Sequence, residues 1–157
     1  MVIVKLSPGD VAFATTEAAA RFNYNRAKGN DASRGAAPTW VEQVAREISG
    51  CLGEIAIARW QDKFPFSLFD DRKQGDVGEF EVRTTAYVTG KLLINPEDDP
   101  KRKYLLVTLP DHYTAHIVGW MYGFEAQTQQ FFDAKMRFPC FAIQQQYLRN
   151  PETLLNG

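Results

Sequence analysis

The chain lacks a strong charge of either sign, because its 157 residues carry a formal net charge of −1 at neutral pH. The chain as a whole therefore offers no electrostatic footprint for nucleic acid, although an enzyme needs only a local basic rim. Cysteine is also scarce: Cys51 and Cys140 form no CxxC-type pair and lie among apolar neighbours. We expect buried free thiols, not a disulfide scaffold. His112 and His116 have no further histidine or cysteine at ligand spacing, which argues against a zinc site.

Long hydrophobic runs are absent as well. The first residues, MVIVKLSPGD, contain too short an apolar run for a signal peptide, and no segment approaches the length of a membrane span. The composition, 45% hydrophobic and 24% charged, is typical of a globular protein, and the length suits one domain. We therefore expect a single cytoplasmic domain over residues 1–157, with residues 1–38 as an N-terminal helical extension.

Helical patterns occupy the first part of the chain. A helix is predicted from about residue 10 to 28, with Asp10 as its N-cap candidate, and loops are predicted over 29–38 and 62–76. A second helix begins at Thr39, because Glu42 three residues later completes a capping-box pattern.

Glu54 lies on a flank of this second helix, about 120° from the centre of its apolar arc. Gly50 and Gly53 lie near the same flank, where glycine weakens a helix unless something packs closely. We therefore expect Glu54 at the edge of an interface.

Strand patterns follow. In FEVRTT, Phe80 and Val82 face one way, and Glu81 and Arg83 face the other. The segment KLLIN after the turn VTGK is the predicted hairpin partner of this strand. YLLVTL is a continuous apolar run, typical of a central strand buried on both faces, and YTAHIVGWMYG is the next strand. The predicted class is α+β, with a mixed, mainly antiparallel sheet of four or five strands flanked by helices.

One constellation of charged residues could carry chemistry. Glu81 and Arg83 share a strand face, and Gly78 permits a sharp bend that would bring Asp76 over that face. Two or three carboxylates suffice for a hard cation such as Mg²⁺, which keeps several waters. The adjacent cation would stabilise charge that develops on a phosphoryl group. The alternative is an ordinary turn followed by a solvated strand face.

Residues 40–157 resemble a known superfamily. The blocks GEIAIARW, GDVGEFEVRTT, GKLLINPEDDP, YLLVT, HIVGWMYG and FAIQQQYLRNPETLL are similar to small phage-borne proteins assigned to the PD-(D/E)XK nucleases. The resemblance implies a restriction-endonuclease-like αβββαβ core, a site at the sheet edge, and hydrolysis of phosphodiester bonds in DNA with Mg²⁺ or Mn²⁺. It also places the chain in the host cytoplasm if it is phage-encoded.

The resemblance also assigns site residues. It implies that Asp76 and Glu81 hold the metal, with the carbonyl of Val82 and with Glu54, and that Arg83 occupies the position of the motif's lysine. Arginine stays protonated and cannot take a proton from water, although it can clamp a phosphate oxygen. Lys91, at the start of the predicted hairpin partner, is the candidate for a displaced lysine.

Other basic residues are candidates for phosphate contact. The run Lys101, Arg102 and Lys103 and the helical Arg26 could hold the nucleic-acid backbone, or they could simply be solvated. DNA is the expected partner, and a host or phage protein and a second copy of the chain are further candidates.

Two alternatives to a nuclease stay open. With the lysine replaced by arginine, the fold could serve as a catalytically inactive module that binds nucleic acid or a host protein. The aromatic stretch GWMYGF could instead belong to a small-molecule binding protein, which a well-formed apolar pocket remote from Asp76 would favour.

Overall fold

The computed structural model describes residues 1–27, 39–63 and 76–155, so the loop predicted over 29–38 and most of the loop predicted over 62–76 lie outside the described residues. The described helices are α1 (Pro8–Ala27), α2 (Trp40–Trp60) and α3 (Gly123–Ala126). The described strands are β1 (Val2–Lys5), β2 (Phe80–Thr85), β3 (Leu92–Ile94), β4 (Lys103–Asp111), β5 (Thr114–Tyr122), β6 (Phe132–Asp133) and β7 (Cys140–Ile143). Within these residues, no helix combines the length and the apolarity that crossing a membrane requires.

The strands form two sheets. The first is a mixed four-stranded sheet in the order β1-β5-β4-β2, in which β2 runs parallel to β4 and the other pairs are antiparallel. The second is an antiparallel three-stranded sheet in the order β3-β7-β6. The predicted α+β class and mixed four-stranded sheet are confirmed. The second sheet is not in the sequence prediction, because β3 was assigned to β2, and strands as short as β1 and β6 give too few alternations to recognise.

Helix α1 begins earlier than predicted. Ser7 caps it, since the Ser7 hydroxyl accepts the Asp10 N–H at 3.1 Å and the Asp10 carboxylate accepts the Ser7 N–H at 2.8 Å. Pro8 fills the first helical position, where its missing N–H costs nothing. Asp10 therefore closes a capping box from the third position and is not the N-cap itself.

Helix α2 begins where the sequence predicts, with the capping box between Thr39 and Glu42 present. Close packing is confirmed at Gly53, where a Cβ atom would lie 2.1 Å from the Thr84 hydroxyl oxygen of β2. Gly50, by contrast, has no neighbour within 4 Å of such an atom. The glycine at position 53 is what lets α2 approach β2.

Strand β4 is buried on both faces, as its apolar run predicts. Leu105 and Val107 belong to a first apolar cluster, together with α2 and the inner face of β2. Tyr104 and Leu106 belong to a second cluster, beneath the three-stranded sheet. One strand thus supplies both cores, which explains why its sequence does not alternate.

The predicted hairpin between β2 and the segment after the VTGK turn is wrong. Strand β2 pairs with β4 in parallel, from Phe80 opposite Lys103 to Thr85 opposite Thr108, and β3 pairs with β7. Leu92 and Ile94 of β3 are fully buried in the second apolar cluster. Their local pattern shows that a strand forms but carries no information about which strand it pairs with.

A β-bulge interrupts the side-chain alternation of β5. Gly119 is opposite Leu106, but Ile117 is opposite Val107, so Val118 is an extra residue in the ladder. Trp120 therefore packs into the first cluster with Ile117, whereas Val118 packs against the second. Strict alternation along the strand would instead put Trp120 and Val118 on one face.

Candidate functional site

The chain bends sharply just before β2. Gly78 has a positive φ of 62°, and the Asp76 N–H donates to the Phe80 carbonyl at 2.8 Å. This confirms the predicted bend. One Asp76 carboxylate oxygen accepts the Val82 N–H at 2.7 Å. Since β2 is the edge strand and β4 lies on its other side, the Asp76 carboxylate lies along the free edge of the sheet.

Glu81 and Arg83 share the face of β2 opposite to Phe80 and Val82, as predicted. Arg102 donates to a Glu81 carboxylate oxygen at 2.9 Å, and an Arg83 nitrogen lies 3.6 Å from the other oxygen. Burial raises the pKa of Glu81, and the charge of Asp76 raises it further against the opposing effect of the two arginines.

Arg83 is held by a residue that the sequence analysis does not single out. Its guanidinium donates to the Asp98 carboxylate at 2.9 Å and lies 5.2 Å from the centre of the Tyr104 ring. Burial opposes the charge, but the hydrogen bond and charge of Asp98 outweigh it and raise the pKa of Arg83. The signal for Asp98 was the turn NPED, in which its carboxylate accepts the Asn95 N–H at 2.9 Å.

Glu54 is buried, with 5% of its surface exposed, and does not lie at the edge of an interface as predicted. The reason is that α1 covers this side of α2, and Arg21 of α1 donates to both Glu54 oxygens, at 2.9 and 2.6 Å. Burial raises the pKa of Glu54 to about 7 against the effect of Arg21, and the charges of Asp76 and Glu47 add to the rise.

Arg21 could have been found in the sequence as the partner of a buried acid. Asp10, Ala14 and Ala18 are the buried residues of α1, and Arg21 continues their helical stripe. A cation on the buried stripe of a helix requires an acid on the element that covers it.

The three predicted acids are linked electrostatically: burial raises the pKa of Glu54 and of Glu81, and the charge of Asp76 adds to both rises. In the described ranges, no group of three or more histidine, cysteine, aspartate or glutamate side chains is arranged to hold a metal ion. Asp76 and Glu81 alone supply hard oxygen donors of the kind that Mg²⁺ prefers, and this ion keeps most of its ligands as water. Asp76 and Glu81 match such an ion in donor chemistry, and both Glu81 oxygens face arginines in this structure.

The structure does not support the argument for Lys91. Its candidacy depended on the hairpin with β2, which is not formed. Lys91 is exposed just before β3 in the other sheet, where its charge acts on the Cys140 thiol. Arg26 is exposed in the last turn of α1, 6.0 Å from the centre of the Phe22 ring. Val82 offers its N–H to Asp76, a contact that the sequence analysis does not predict.

The basic run after the NPED turn lies beside the acids. Lys101, Arg102 and Lys103 line an open cleft of about 790 Å³ with Glu79, Asp99 and Tyr122. Arg102 reaches from this cleft to Glu81, and Lys103 donates to Glu79 at 2.7 Å. The cleft therefore leads directly to the strand that carries Glu81.

We compared the chain with protein-family models, with curated proteins and with solved structures, and none of them matches. Membership of the PD-(D/E)XK superfamily therefore stays a prediction from the sequence blocks quoted above.

Proposed function

We propose that the protein is a metal-dependent nuclease that hydrolyses phosphodiester bonds in DNA. One observation carries the proposal: the bend before β2 holds the Asp76 carboxylate at the free edge of the strand that presents Glu81 and Arg83. Burial raises the pKa of Glu54 and Glu81, and the charge of Asp76 adds to both rises; perturbed acids of this kind are typical of functional sites.

Asp76 and Glu81 are the residues that would hold Mg²⁺ or Mn²⁺, with Glu54 behind them. Such an ion, when bound, lowers the pKa of a water ligand and offsets charge on the phosphoryl oxygens. Arg83 stays charged and is fixed by Asp98, so it stabilises negative charge at the site without exchanging protons. Arg102 connects Glu81 to the cleft and can hold a backbone phosphate there.

Glu54 can accept a proton near neutral pH, whereas Arg83 cannot. A general base works best when its pKa is close to the operating pH, and the pKa of Glu54 is raised to about 7. We therefore assign to Glu54 the proton-accepting role that the resemblance gives to a lysine. Arg21 holds both carboxylate oxygens and so fixes the orientation of the side chain.

The test is to incubate the purified chain with single-stranded DNA, duplex DNA and RNA, in Mg²⁺, in Mn²⁺ and in EDTA. We expect DNA cleavage that requires the metal and is lost in Asp76→Asn. Asp111→Asn is the matched control, because Asp111 is an exposed aspartate beyond the opposite end of the parallel strand pair. No cleavage by the wild type, or equal cleavage by Asp76→Asn, would overturn the proposal.

A second candidate, a non-catalytic binding module, is favoured by a different observation. Arginines already pair with the acids: Arg21 with Glu54 and Arg102 with Glu81. Such pairs neutralise the acids without a metal, which an inactive descendant of a nuclease would need. Calorimetric titration with Mn²⁺ distinguishes the candidates. Heat of binding that is lost in Asp76→Asn supports the nuclease, whereas no heat together with a specific protein or nucleic-acid partner supports the module.

A further inference from the structure

A row of aromatic side chains meets the cleft beside Glu81 at Tyr122, which lines the cleft. Trp120, Tyr122 and Phe124 follow one another at every second residue. The ring centres of Trp120 and Tyr122 are 5.1 Å apart and meet edge to face, and those of Tyr122 and Phe124 are 5.3 Å apart and stacked at 22°. Trp120 is 6% exposed, whereas Phe124 is 58% exposed. The row therefore runs from the core to a stacked ring that is open to water.

This platform is fixed against the basic run that lines the cleft. The Phe124 N–H donates to the Pro100 carbonyl at 2.7 Å, and the Gly123 N–H donates to the Arg102 carbonyl at 2.9 Å. A Cβ atom at Gly123 would lie 2.7 Å from the Asp99 carbonyl oxygen, so the two backbones are in tight contact. The exposed ring and the cations beside it therefore keep one relative position before any ligand arrives, which reduces the entropy lost on binding.

The charges in the cleft suit only a few phosphates. Lys103 is paired with Glu79 and Arg102 with Glu81, so the excess positive charge is small. A protein that coats a duplex needs many phosphate contacts, whereas a protein that binds a single strand draws much of its affinity from bases stacked on aromatic rings. A base within a duplex has its faces covered by its neighbours, so only an unpaired base can stack on Phe124.

We propose that this cleft, together with the exposed Phe124 ring stacked on its lining residue Tyr122, binds single-stranded nucleic acid, with an unpaired base stacked on Phe124 and the adjoining phosphates held by Lys101 and Arg102. The inference rests on the proposed nuclease in one respect, since it gives that enzyme its substrate class. A strand held in this way passes Arg102, which pairs with Glu81, and so leads to the acids.

Fluorescence anisotropy in EDTA tests the inference, because cleavage requires the metal but stacking does not. The probes are one labelled sequence as single-stranded DNA, as single-stranded RNA and as a blunt DNA duplex. We expect a single strand to bind more tightly than the duplex, and Phe124→Ala to weaken single-strand binding roughly ten-fold. A preference between DNA and RNA identifies the sugar, and either preference supports the inference.

Matched controls separate the cleft from the rest of the surface. Phe138→Ala removes another exposed phenylalanine, which lies beside Arg137 away from the cleft, and should bind as the wild type does. Lys101→Gln should reduce the slope of log affinity against log salt by about 0.7, whereas Lys135→Gln should not. Thermal melts of each variant confirm that it is folded.

Two results would overturn the inference: duplex binding as tight as single-strand binding, or Phe124→Ala binding as tightly as the wild type. Neither result concerns the nuclease itself, whose test is metal-dependent cleavage that is lost in Asp76→Asn. Conversely, single-strand binding without cleavage in any metal would remove the nuclease and leave the cleft as a binding site.

Discussion

Two buried acid–arginine pairs join helices α1 and α2, and they behave in opposite ways. Asp10 of α1 is 3% exposed and accepts a hydrogen bond from Arg59 of α2 at 2.7 Å. Burial raises its pKa, but Arg59 and the Ser7 N–H and hydroxyl outweigh burial and hold that pKa below its ordinary value. At Glu54 burial prevails over Arg21, and the pKa rises to about 7.

The difference lies in what surrounds each carboxylate. The Asp10 carboxylate receives hydrogen bonds from an arginine and from the helix cap, so its charged form is fully compensated. Glu54 has its arginine, but burial raises its pKa most, and the negative charge of Asp76 adds to the rise. The first pair therefore serves stability, whereas the second holds an acid in a state that costs free energy. We interpret the second arrangement as functional because a carboxyl with a strongly raised pKa is typical of a functional site.

Of the effects that distinguish the two pairs, we expect the largest in the rate of metal-dependent DNA cleavage. Glu54→Gln keeps the shape of the side chain but removes its proton-accepting group, so metal-dependent cleavage should fall by about 100-fold. Asp10→Ala should cleave DNA at the wild-type rate at a temperature where it is folded. Single-turnover cleavage rates at saturating Mn²⁺ measure both. Equal losses in the two variants would show that the pairs are both structural.

For stability we expect the opposite order: the loss of Asp10 should lower the free energy of unfolding, whereas the loss of the Glu54 carboxylate should not. Asp10→Ala removes the acid of the capping box and leaves Arg59 without its buried carboxylate, which should lower the free energy of unfolding by about 2–3 kcal/mol. We discount the full cost of a broken buried pair because the Arg59 side chain is 44% exposed and can be hydrated.

Glu54→Gln should raise the free energy of unfolding at pH 7, by up to about 3 kcal/mol, because folding raises the pKa of this carboxyl from near 4.5 to about 7 and glutamine resembles its neutral form. Urea denaturation of the two variants beside the wild type measures the difference. A larger loss for Glu54→Gln than for Asp10→Ala would reverse the assignment of the pairs.

The pH dependence of stability gives a third comparison. A carboxyl whose pKa is raised by folding stabilises the protein below its unfolded value, near 4.5, and loses that contribution as the pH rises through about 7. The free energy of unfolding of the wild type relative to Glu54→Gln should therefore fall by about 2 kcal/mol between pH 5 and pH 8.

Asp10 gives the matched control for this window. Its pKa is lowered by folding, so its contribution is complete above its ordinary value of 3.8 and is lost only as the pH falls below that value. The wild type relative to Asp10→Asn should therefore show no change from pH 5 to pH 8 in urea denaturation. If the free energy of unfolding of the wild type relative to Glu54→Gln also stayed constant over this pH range, the Glu54 carboxylate would be as well compensated as that of Asp10.

Sequence reasoning was reliable where the causes are local. The capping box at Thr39, the glycine bend before β2 and the buried run of β4 each follow from a few adjacent residues, and all three are confirmed. Strand pairing was not predictable, because β3 carries the same alternation whether it joins β2 or β7. The bulge at Val118 likewise comes from pairing and leaves no pattern in the sequence.

At the candidate site, too, local features were predictable from the sequence and tertiary contacts were not. The glycine bend after Asp76 and the shared strand face of Glu81 and Arg83 follow from local spacing, and both are present. The arginine partners of Glu54 and Glu81 were missed, because Arg21 and Arg102 come from elements whose contacts depend on the tertiary fold. The argument for Lys91 failed for the same reason, because it depended entirely on a strand pairing that does not occur.

The smallest expected effect concerns how α2 brings Glu54 close to Asp76. Gly53→Ala would place a Cβ atom 2.1 Å from the Thr84 hydroxyl oxygen and 3.2 Å from its Cβ atom, so α2 must move away from β2. This overpacking should lower the free energy of unfolding by about 1–2 kcal/mol. Gly50→Ala meets no neighbour within 4 Å and should instead raise it by about 0.5–1 kcal/mol through helix propensity.

The same pair of glycine variants tests the electrostatic comparison. Moving α2 away from β2 increases the distance from Glu54 to Asp76, so the pKa of Glu54 should fall towards the behaviour of Asp10 in Gly53→Ala and stay unchanged in Gly50→Ala. The fall in stability between pH 5 and pH 8 should accordingly be shallower in Gly53→Ala. An equally steep fall in both variants would show that burial alone, and not the approach to Asp76, raises the pKa of Glu54, and it would weaken the case for a shared acid site.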